Sequence, residues 1–332
     1  MKGQKISPDL TTIDTSSAVE RVRELIRTWP WLVAVTTSAI LLLALITISK
    51  RAPLDILLSN IYLASFVAIA ALGQMFVVAT GRGAIDLSIP YTITLCVYIA
   101  TIVQDGSDMN LVTSIGATVL VGMLVGVVNG FAVVVLRIPA MVATLAIGFI
   151  AQSVVQVISS TGGHAGSSPL IGILARQSIL GIPFFAIVAV IVAVIVAVVV
   201  HRSGYGMQLL ATGQNDVAAI LAGLKPGRVR WIAFILSGAL AGITAVLLGG
   251  YSGGASLGVG ASFLISTIAA VVLGGTLMSG GFVSIAGVLG GALFLTLVVT
   301  LTNSLNMPSG TRMVIEGLVI LAALGIGARR QR

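Results

Sequence analysis

The sequence predicts an all-α, polytopic membrane protein with about ten transmembrane helices. Only 8% of its 332 residues are charged, 57% are apolar, and the mean hydropathy is +1.13. A soluble chain of this length needs a charged surface, and 18 basic and 10 acidic residues are too few to supply one. Ten apolar segments, each close to the length that crosses a bilayer, recur along the chain. The apolar surface is therefore expected to face lipid.

The spans are identified by length, because a helix needs about 20 residues, with a usual range of about 17–25, to cross the hydrocarbon core. In chain order the predicted spans are residues 31–48, 56–79, 89–103, 111–135, 138–158, 181–200, 231–250, 261–275, 282–303 and 312–327. The first, fourth, sixth and seventh carry the clearest signal. The third and eighth are short and flanked by Gly or Pro, which predicts tilted, broken or re-entrant passages.

The distribution of basic residues orients the chain. If the N-terminus is cytoplasmic and all ten segments cross, the only basic residues outside are Lys50, Arg51, Arg176 and Arg312. The other fourteen of the 18 fall inside, which is the asymmetry that the positive-inside rule expects. Both termini are therefore predicted to be cytoplasmic.

Three regions follow from this topology. Residues 1–30 are interpreted as a cytoplasmic tail with an amphipathic lead-in, residues 31–327 as the transmembrane domain, and residues 328–332 as a basic cytoplasmic C-terminus. The net charge of +8 comes from residues at the ends of spans, where they meet anionic headgroups of the lipid bilayer. Nucleic-acid binding is therefore not expected. A single cysteine, Cys96, excludes an intrachain disulfide and a cysteine metal site.

Glycines at intervals of four residues predict close helix packing. They stand on one helical face, where the missing side chain lets a second backbone approach. These positions are Gly122, Gly126 and Gly130, then Gly238 and Gly242, then Gly287 and Gly291. Similar openings at 114–117 and 284–287 suggest a duplication that relates spans 2–5 to spans 7–10 as an inverted repeat.

The longest predicted cytoplasmic connection is residues 201–230. Its middle, from Asn215 to Leu224, is typical of a short helix capped by Asn215 and Asp216 and ended by Gly223 and Pro226. Apolar residues stand at helical spacing on one side, namely Val217, Ile220, Leu221 and Leu224. This stripe either lies on headgroups or on its own bundle, or it needs a partner.

The residues that common enzyme sites require are missing. The dipeptide Gly-Lys does not occur, so the chain lacks a Walker-type phosphate loop. The only imidazoles, His164 and His201, fall in loops predicted on opposite faces of the membrane. No catalytic residue, metal site or cofactor is therefore expected in this chain.

Two acidic residues lie in or close to predicted spans, where ionisable groups are costly and indicate function. Asp86 is interpreted first as a helix cap paired with Arg82 at the interface, and alternatively as part of a pathway. Glu316 stands one turn after Arg312 and is expected to pair with it. A proton relay would need further acidic or His residues at depth, and the sequence places none there.

Uncharged polar residues at depth are candidates for a translocation pathway, since amides suit hydroxyl-rich or zwitterionic solutes. Interhelical hydrogen bonding is the alternative for each of them. Gln152 and Gln156 share one helical face, which favours a pathway role slightly. With Asp86 and Ser88 added, the candidate set is Gln74, Asp86, Ser88, Asn129, Gln152, Gln156 and Asn303. Aromatic residues are only 5% of the chain, so a stacked sugar platform inside the membrane is not indicated.

Three stretches resemble the permease subunits of bacterial ATP-binding-cassette importers, in the branch for ribose, xylose and galactose. The first is GQMFVVATGRGAIDLS at 73–88, which resembles the signature Gly-Gln…Thr-Gly-Gly-Ile-Asp-Leu-Ser. The second, at 204–230, is similar to the coupling segment Ala-x-Gly-x-Asn-x-x-Ala-Ala-x-x-x-Gly. The third, at 268–293, is similar to the block Ala-Ala-Val-Val-Leu-Gly-Gly-Thr…Ser-Gly-Gly.

The resemblance implies a multi-pass permease of the bacterial inner membrane that works by alternating access. Its partners would be a second permease in a homodimer or heterodimer, a cytoplasmic ATP-binding subunit, and a periplasmic solute-binding protein. ATP and Mg would be bound by the partner subunit. The coupling segment would dock that subunit through Asn215, Asp216, Ala218, Ala219 and Gly223.

The sequence departs from the family pattern at Arg82, Pro90 and Phe282. These departures leave the solute open between a sugar, a polyol and another polar molecule. The branched-chain amino-acid branch of the same superfamily is the first alternative, and Ile85 to Ser88 favours the sugar side. An ion-coupled carrier or channel is the second alternative, and a membrane enzyme is the third.

Overall fold

The computed structural model describes residues 31–48, 52–161 and 166–308 and, further on, residues 310–312, 314, 315, 317, 318 and 321. The predicted tail at 1–30 and the basic C-terminus at 328–332 lie outside the described residues. So do His164 and Glu316, and with Glu316 its expected pairing with Arg312. The described residues between 310 and 321 are helical, and those from 312 onward fall within the predicted tenth span.

The chain folds into helices joined by short turns. The helices are α1 (Trp31–Ile48), α2 (Pro53–Ala79), α3 (Ile89–Gln104), α4 (Leu111–Val134), α5 (Ala140–Ser160), α6 (Pro169–Arg176), α7 (Phe184–Arg202), α8 (Gly204–Gln214), α9 (Asp216–Leu221), α10 (Pro226–Ser252), α11 (Phe263–Leu273) and α12 (Ile285–Ser304). A 3₁₀ turn, Asp108–Asn110, precedes α4. Proline stands in the first turn of α2, α3, α6 and α10, where its missing N–H costs no helical hydrogen bond.

Among the described residues, six helices are long and apolar enough to cross a membrane: α2, α4 with its preceding 3₁₀ turn, α5, α7, α10 and α12. The two short spans of the sequence prediction are short in the structure as well. Helix α3 has 16 residues and α11 has 11, so α11 extends only about 16 Å at 1.5 Å per residue. The count of ten crossings, the cytoplasmic termini and the inverted repeat stay predictions.

The start of the predicted sixth span was wrong. Residues Ser178–Ile179 (β1) and Ile182–Pro183 (β2) form a small antiparallel hairpin, with Leu180 and Gly181 at its tip, both at positive φ. Helix α7 therefore begins at Phe184. Hydropathy alone did not reveal the hairpin, because Ile179, Leu180 and Ile182 are as apolar as the span that follows.

The core lies around α2 and α10, which are buried over most of their length. Helix α10 packs against α4, α2 and α3, while α12 packs against α1, α2 and α11. The predicted glycine contacts are confirmed, since a Cβ added at Gly122 would collide with the carbonyl of Gly238. A Cβ at Gly242 would lie 2.6 Å from the carbonyl oxygen of Thr118. The α4 and α10 backbones therefore approach each other closely.

The bundle has two different ends. One end is formed by residues 80–88, by α8 and α9, and by residues 274–284. We call it the coupling end, after the family's coupling segment, which residues 204–230 resemble. The distal end is formed by the 3₁₀ turn, α6, the hairpin and the end of α10. At the distal end Ser168 N donates to Gln104 Oε1 (2.7 Å), and Ser167 Oγ donates to the carbonyl of Gly249 (2.9 Å).

Candidate translocation and coupling site

The Asp86 carboxylate is buried in the segment between α2 and α3 and is only 3% exposed. Its Oδ1 accepts hydrogen bonds from Ser88 N (2.9 Å) and Ser88 Oγ (2.6 Å). Its Oδ2 accepts one from Ser237 Oγ of α10 (2.8 Å). These three donors offset part of the cost of removing a carboxyl group from water.

Two amides complete this arrangement. In the orientation that suits both neighbours, the Gln74 side chain donates to Asp86 O (3.1 Å) and accepts from Asp86 N (3.2 Å). Asn129 Nδ2 of α4 donates to Ser88 Oγ (2.8 Å). We call Gln74, Asp86, Ser88, Asn129 and Ser237 the Asp86 cluster. It ties α2, α4 and α10 to the start of α3 at one buried point.

One polar atom of the Asp86 cluster has no partner. Asn129 Oδ1 is buried and accepts no hydrogen bond in the described structure, although Asn129 is only 1% exposed. Burying an amide oxygen without a hydrogen-bond donor costs free energy.

The expected ion pair between Asp86 and Arg82 was wrong. Arg82 has a positive φ of 57°, and its side chain pairs with Asp216 instead, with Nε 2.5 Å from Oδ2. No basic side chain in the described part of the chain forms a salt bridge with Asp86. The carboxyl group is therefore held by hydroxyl and backbone donors alone.

The other pathway candidates do not join this cluster. Gln152 Nε2 reaches the carbonyl of Leu257 (3.4 Å), and Gln156 and Asn303 are exposed on their helices. The structure thus brings together four of the seven predicted residues: Gln74, Asp86, Ser88 and Asn129. Sequence reasoning missed Ser237, because one hydroxyl in an apolar helix gives no signal of its own.

At the coupling end, the three stretches that carry the family resemblance meet. Gly281 N donates to the carbonyl of Ala79 (3.1 Å), and Gln214 Nε2 donates to the carbonyl of Gly281 (3.3 Å). A Cβ on Gly81 would lie 2.9 Å from the carbonyl oxygen of Ser279 and 3.0 Å from that of Gly213. Glycine is therefore required where these backbones cross.

The predicted helix in the 201–230 connection is present as α9. Its N-cap is Asn215, whose Oδ1 accepts from Val217 N (2.9 Å) and Ala218 N (3.1 Å). The turn that follows contains Gly223 at φ +81°. Ala219 faces inward at 4% exposure, whereas Ala218 is exposed. Local capping chemistry was sufficient to predict this element.

Asp216 connects α9 to two other elements. Both of its oxygens lie 2.6 Å from Arg230 Nη2 in the first turns of α10, and Oδ2 also contacts Arg82. Helix α8, which the sequence did not predict, packs against α10. There Tyr205 Oη donates to the carbonyl of Val229 (3.3 Å). Burial raises the pKa of Tyr205, so its hydroxyl stays a neutral donor.

The outer face of α9 is apolar and open to solvent. Val217 is 66% exposed, Ile220 58% and Leu221 84%. The expected stripe is therefore unpartnered, except that Leu224 is half-buried. The described chain does not fold back to cover it, which removes one of the alternatives that the sequence left open.

The family described as "Branched-chain amino acid transport system / permease component" matches residues 56–324. The chain belongs to this family of transport-system permeases. It is a multi-pass inner-membrane transport component. The matched range contains the Asp86 cluster and all of both ends.

Curated relatives agree with this membership over nearly the whole chain. The Autoinducer 2 import system permease protein LsrD of Yersinia enterocolitica is 30% identical over 310 residues, covering 90% of this chain and 92% of that protein. The Ribose import permease protein RbsC of Escherichia coli K12 is 28% identical over 309 residues, covering 91% and 95% respectively. The resemblance to importer permeases is confirmed. No solved structure matches the chain.

Proposed function

We propose that this chain is the permease subunit of an ATP-driven importer that moves a sugar or a similarly hydroxylated solute from periplasm to cytoplasm. The observation that carries the proposal is the meeting of residues 79–83, 213–216 and 279–281 at the coupling end, next to an exposed apolar helix. A ribose permease among the relatives supports a sugar as the solute.

The exposed face of α9 is the proposed docking surface for a cytoplasmic ATP-binding subunit. Val217, Ile220 and Leu221 project from a capped helix, and burying them against a partner removes apolar area from water. ATP and Mg would be held by that subunit, because this chain lacks Gly-Lys and therefore a Walker loop. The coupling end would thus be the cytoplasmic end.

The contact between Arg82 and Asp216 gives the docking helix a route to the interior. Residues 80–88 form one short segment. Its Arg82 forms a salt bridge with Asp216 of α9, and its Asp86 and Ser88 belong to the Asp86 cluster. A displacement of α9 on ATP binding would therefore act on the Asp86 cluster through a few bonds. This coupling is the proposed origin of alternating access.

The Asp86 cluster is the proposed inner part of the pathway. It offers hydroxyl groups, a carboxylate and the unsatisfied Asn129 Oδ1, which together can donate to and accept from a solute hydroxyl. A second permease subunit would complete the passage, and a periplasmic solute-binding protein would deliver the solute to the distal end.

The proposal is tested by uptake of labelled solutes into cells that express the complete transport system. We expect ATP-dependent uptake of D-ribose or a related sugar, abolished by Leu221→Asp and retained by the apolar control Leu221→Met. ATPase activity should copurify with the wild type and with Leu221→Met but not with Leu221→Asp.

Two results would contradict it. Uptake of labelled leucine without any sugar uptake would place the chain in the branched-chain amino-acid branch, which the family description names. Uptake that follows an ion gradient, and that persists without ATP, would identify an ion-coupled carrier instead.

A further inference from the structure

Five aromatic side chains gather at the distal end, although aromatic residues are only 5% of the sequence. Tyr62 and Phe66 come from α2, Phe184 and Phe185 from α7, and Tyr251 from α10. Sparse aromatics from three separate parts of the chain are concentrated in one place.

The two tyrosines are held by buried phenylalanines. The ring of Tyr62 stacks on that of Phe185, with 5.9 Å between centroids and 13° between planes. Tyr251 lies 5.5 Å from Tyr62 and 5.5 Å from Phe66. Phe66 and Phe185 are at most 2% exposed. This support fixes the tyrosine rings before any ligand arrives, which lowers the cost of binding.

A cavity of about 420 Å³ opens beside these rings. Polar side chains from α2, α6, the hairpin region and α10 line it: Ser59, Tyr62, Arg176, Gln177, Ser178 and Tyr251. Tyr251 is half exposed, and Arg176 and Gln177 are exposed, so their donors are accessible to a solute. The volume lies within the range of small-molecule sites, about 300–1,000 Å³.

A neighbouring cavity shows that this polarity is specific. About 460 Å³ lies between α2, α7 and α12, and among the described residues Ser65 is its only polar lining side chain. That cavity has the character of a lipid-facing groove. The first cavity, only a few residues away along α2, combines aromatic faces with hydroxyl, amide and guanidinium groups.

We propose that the distal cavity is an entry site for one monosaccharide-sized, polyhydroxylated solute. The apolar C–H face of a sugar ring packs on the tyrosine rings, and its hydroxyls bond to Tyr62, Arg176, Gln177 and Tyr251. The site rests on the proposed sugar-import function and deepens it. It places the first polar contact in this chain rather than in a partner.

The position of the cavity agrees with this role. Tyr62 and Gln74 are 12 residues apart on α2, about 18 Å along the helix, and Tyr251 and Ser237 are 14 residues apart on α10, about 21 Å. The same two helices therefore join the distal cavity to the Asp86 cluster, which forms a second polar station nearer the coupling end.

The test is protection of an introduced thiol in the purified permease. Cys96 is fully buried, so in Ser59→Cys the new thiol is the one accessible to a maleimide. D-ribose at millimolar concentration should slow the labelling of this thiol at least threefold. L-leucine in place of ribose should not slow it. Adding Tyr251→Leu should remove the protection, and adding Tyr251→Phe should preserve most of it. Phe149→Leu, which removes a ring far from the cavity, is the matched control.

Uptake by cells, measured in parallel, separates the two proposals. If the wild type imports ribose but no pentose or hexose protects Ser59→Cys or the second probe Ser178→Cys, the entry site is wrong and the import function stands. If leucine protects and is imported while sugars do neither, both proposals fail. Labelling that responds only to the lipid composition would assign the cavity to a headgroup.

Discussion

Arg82 and Asp216 are 134 positions apart in the sequence, yet Arg82 Nε lies 2.5 Å from Asp216 Oδ2. Arg82 interrupts the Gly-Gly-Ile pattern of the family and has a positive φ of 57°. Asp216 also binds Arg230 at the start of α10. A single carboxylate thus joins the helix of the docking surface, the segment that holds Asp86 and one of the two central helices.

Asp216→Asn should uncouple transport without preventing folding. The change removes the charge that holds two arginines, one of them 71% exposed, so the free energy of unfolding should fall only by roughly 1–3 kcal/mol. The rate of uptake should fall by a much larger factor than this small loss of stability could explain. Asp55→Asn, at an exposed acidic residue in the first turn of α2, is the control and should transport normally. Unchanged uptake by Asp216→Asn would show that this junction does not transmit coupling.

The sequence was sufficient for features set by local or one-dimensional patterns. Helix positions followed from hydropathy, and α9 followed from the capping preference of Asn215. It was insufficient where contacts join distant residues. Asp86 was assigned to Arg82, four positions away, because proximity along the chain was the only guide, whereas Ser237 is its actual long-range partner. The aromatic group was missed for the same reason, since residues 62, 184 and 251 are adjacent only after folding.

Asp86→Ala and Asp86→Asn should differ sharply. Alanine leaves the Ser88 and Ser237 hydroxyls without their acceptor, at about 1–3 kcal/mol for each buried group that stays unsatisfied. Asparagine keeps the shape and one acceptor. The free energy of unfolding of Asp86→Asn should therefore fall less than half as much as that of Asp86→Ala. Thermal unfolding of the purified permease in detergent measures both. Equal losses would mean that the cluster is not held by these hydrogen bonds.

Gly223→Val should disturb the coupling end while the protein still inserts. Gly223 has φ +81°, and no heavy atom lies within 4 Å of an added Cβ, so the penalty is backbone strain and not collision. That strain is about 1–2 kcal/mol for an ordinary L-residue. ATP hydrolysis without uptake is the expected phenotype. Gly223→Asn should be close to wild type, because asparagine tolerates this conformation. Normal uptake by the valine variant would remove the turn from the coupling mechanism.

The same substitution at two sites on α4 separates packing from helix propensity. Gly122→Ala places a methyl group against the Gly238 carbonyl, and overpacking of this kind costs about 1–3 kcal/mol. Gly116→Ala meets nothing within 4 Å and should be neutral or gain up to about 1 kcal/mol from the loss of a helical glycine. Unfolding midpoints in detergent should therefore move in opposite directions or, at least, Gly122→Ala should melt several degrees lower. If both variants melt alike, α4 and α10 are not held at the close approach that brings Asn129 and Ser237 to the Asp86 cluster.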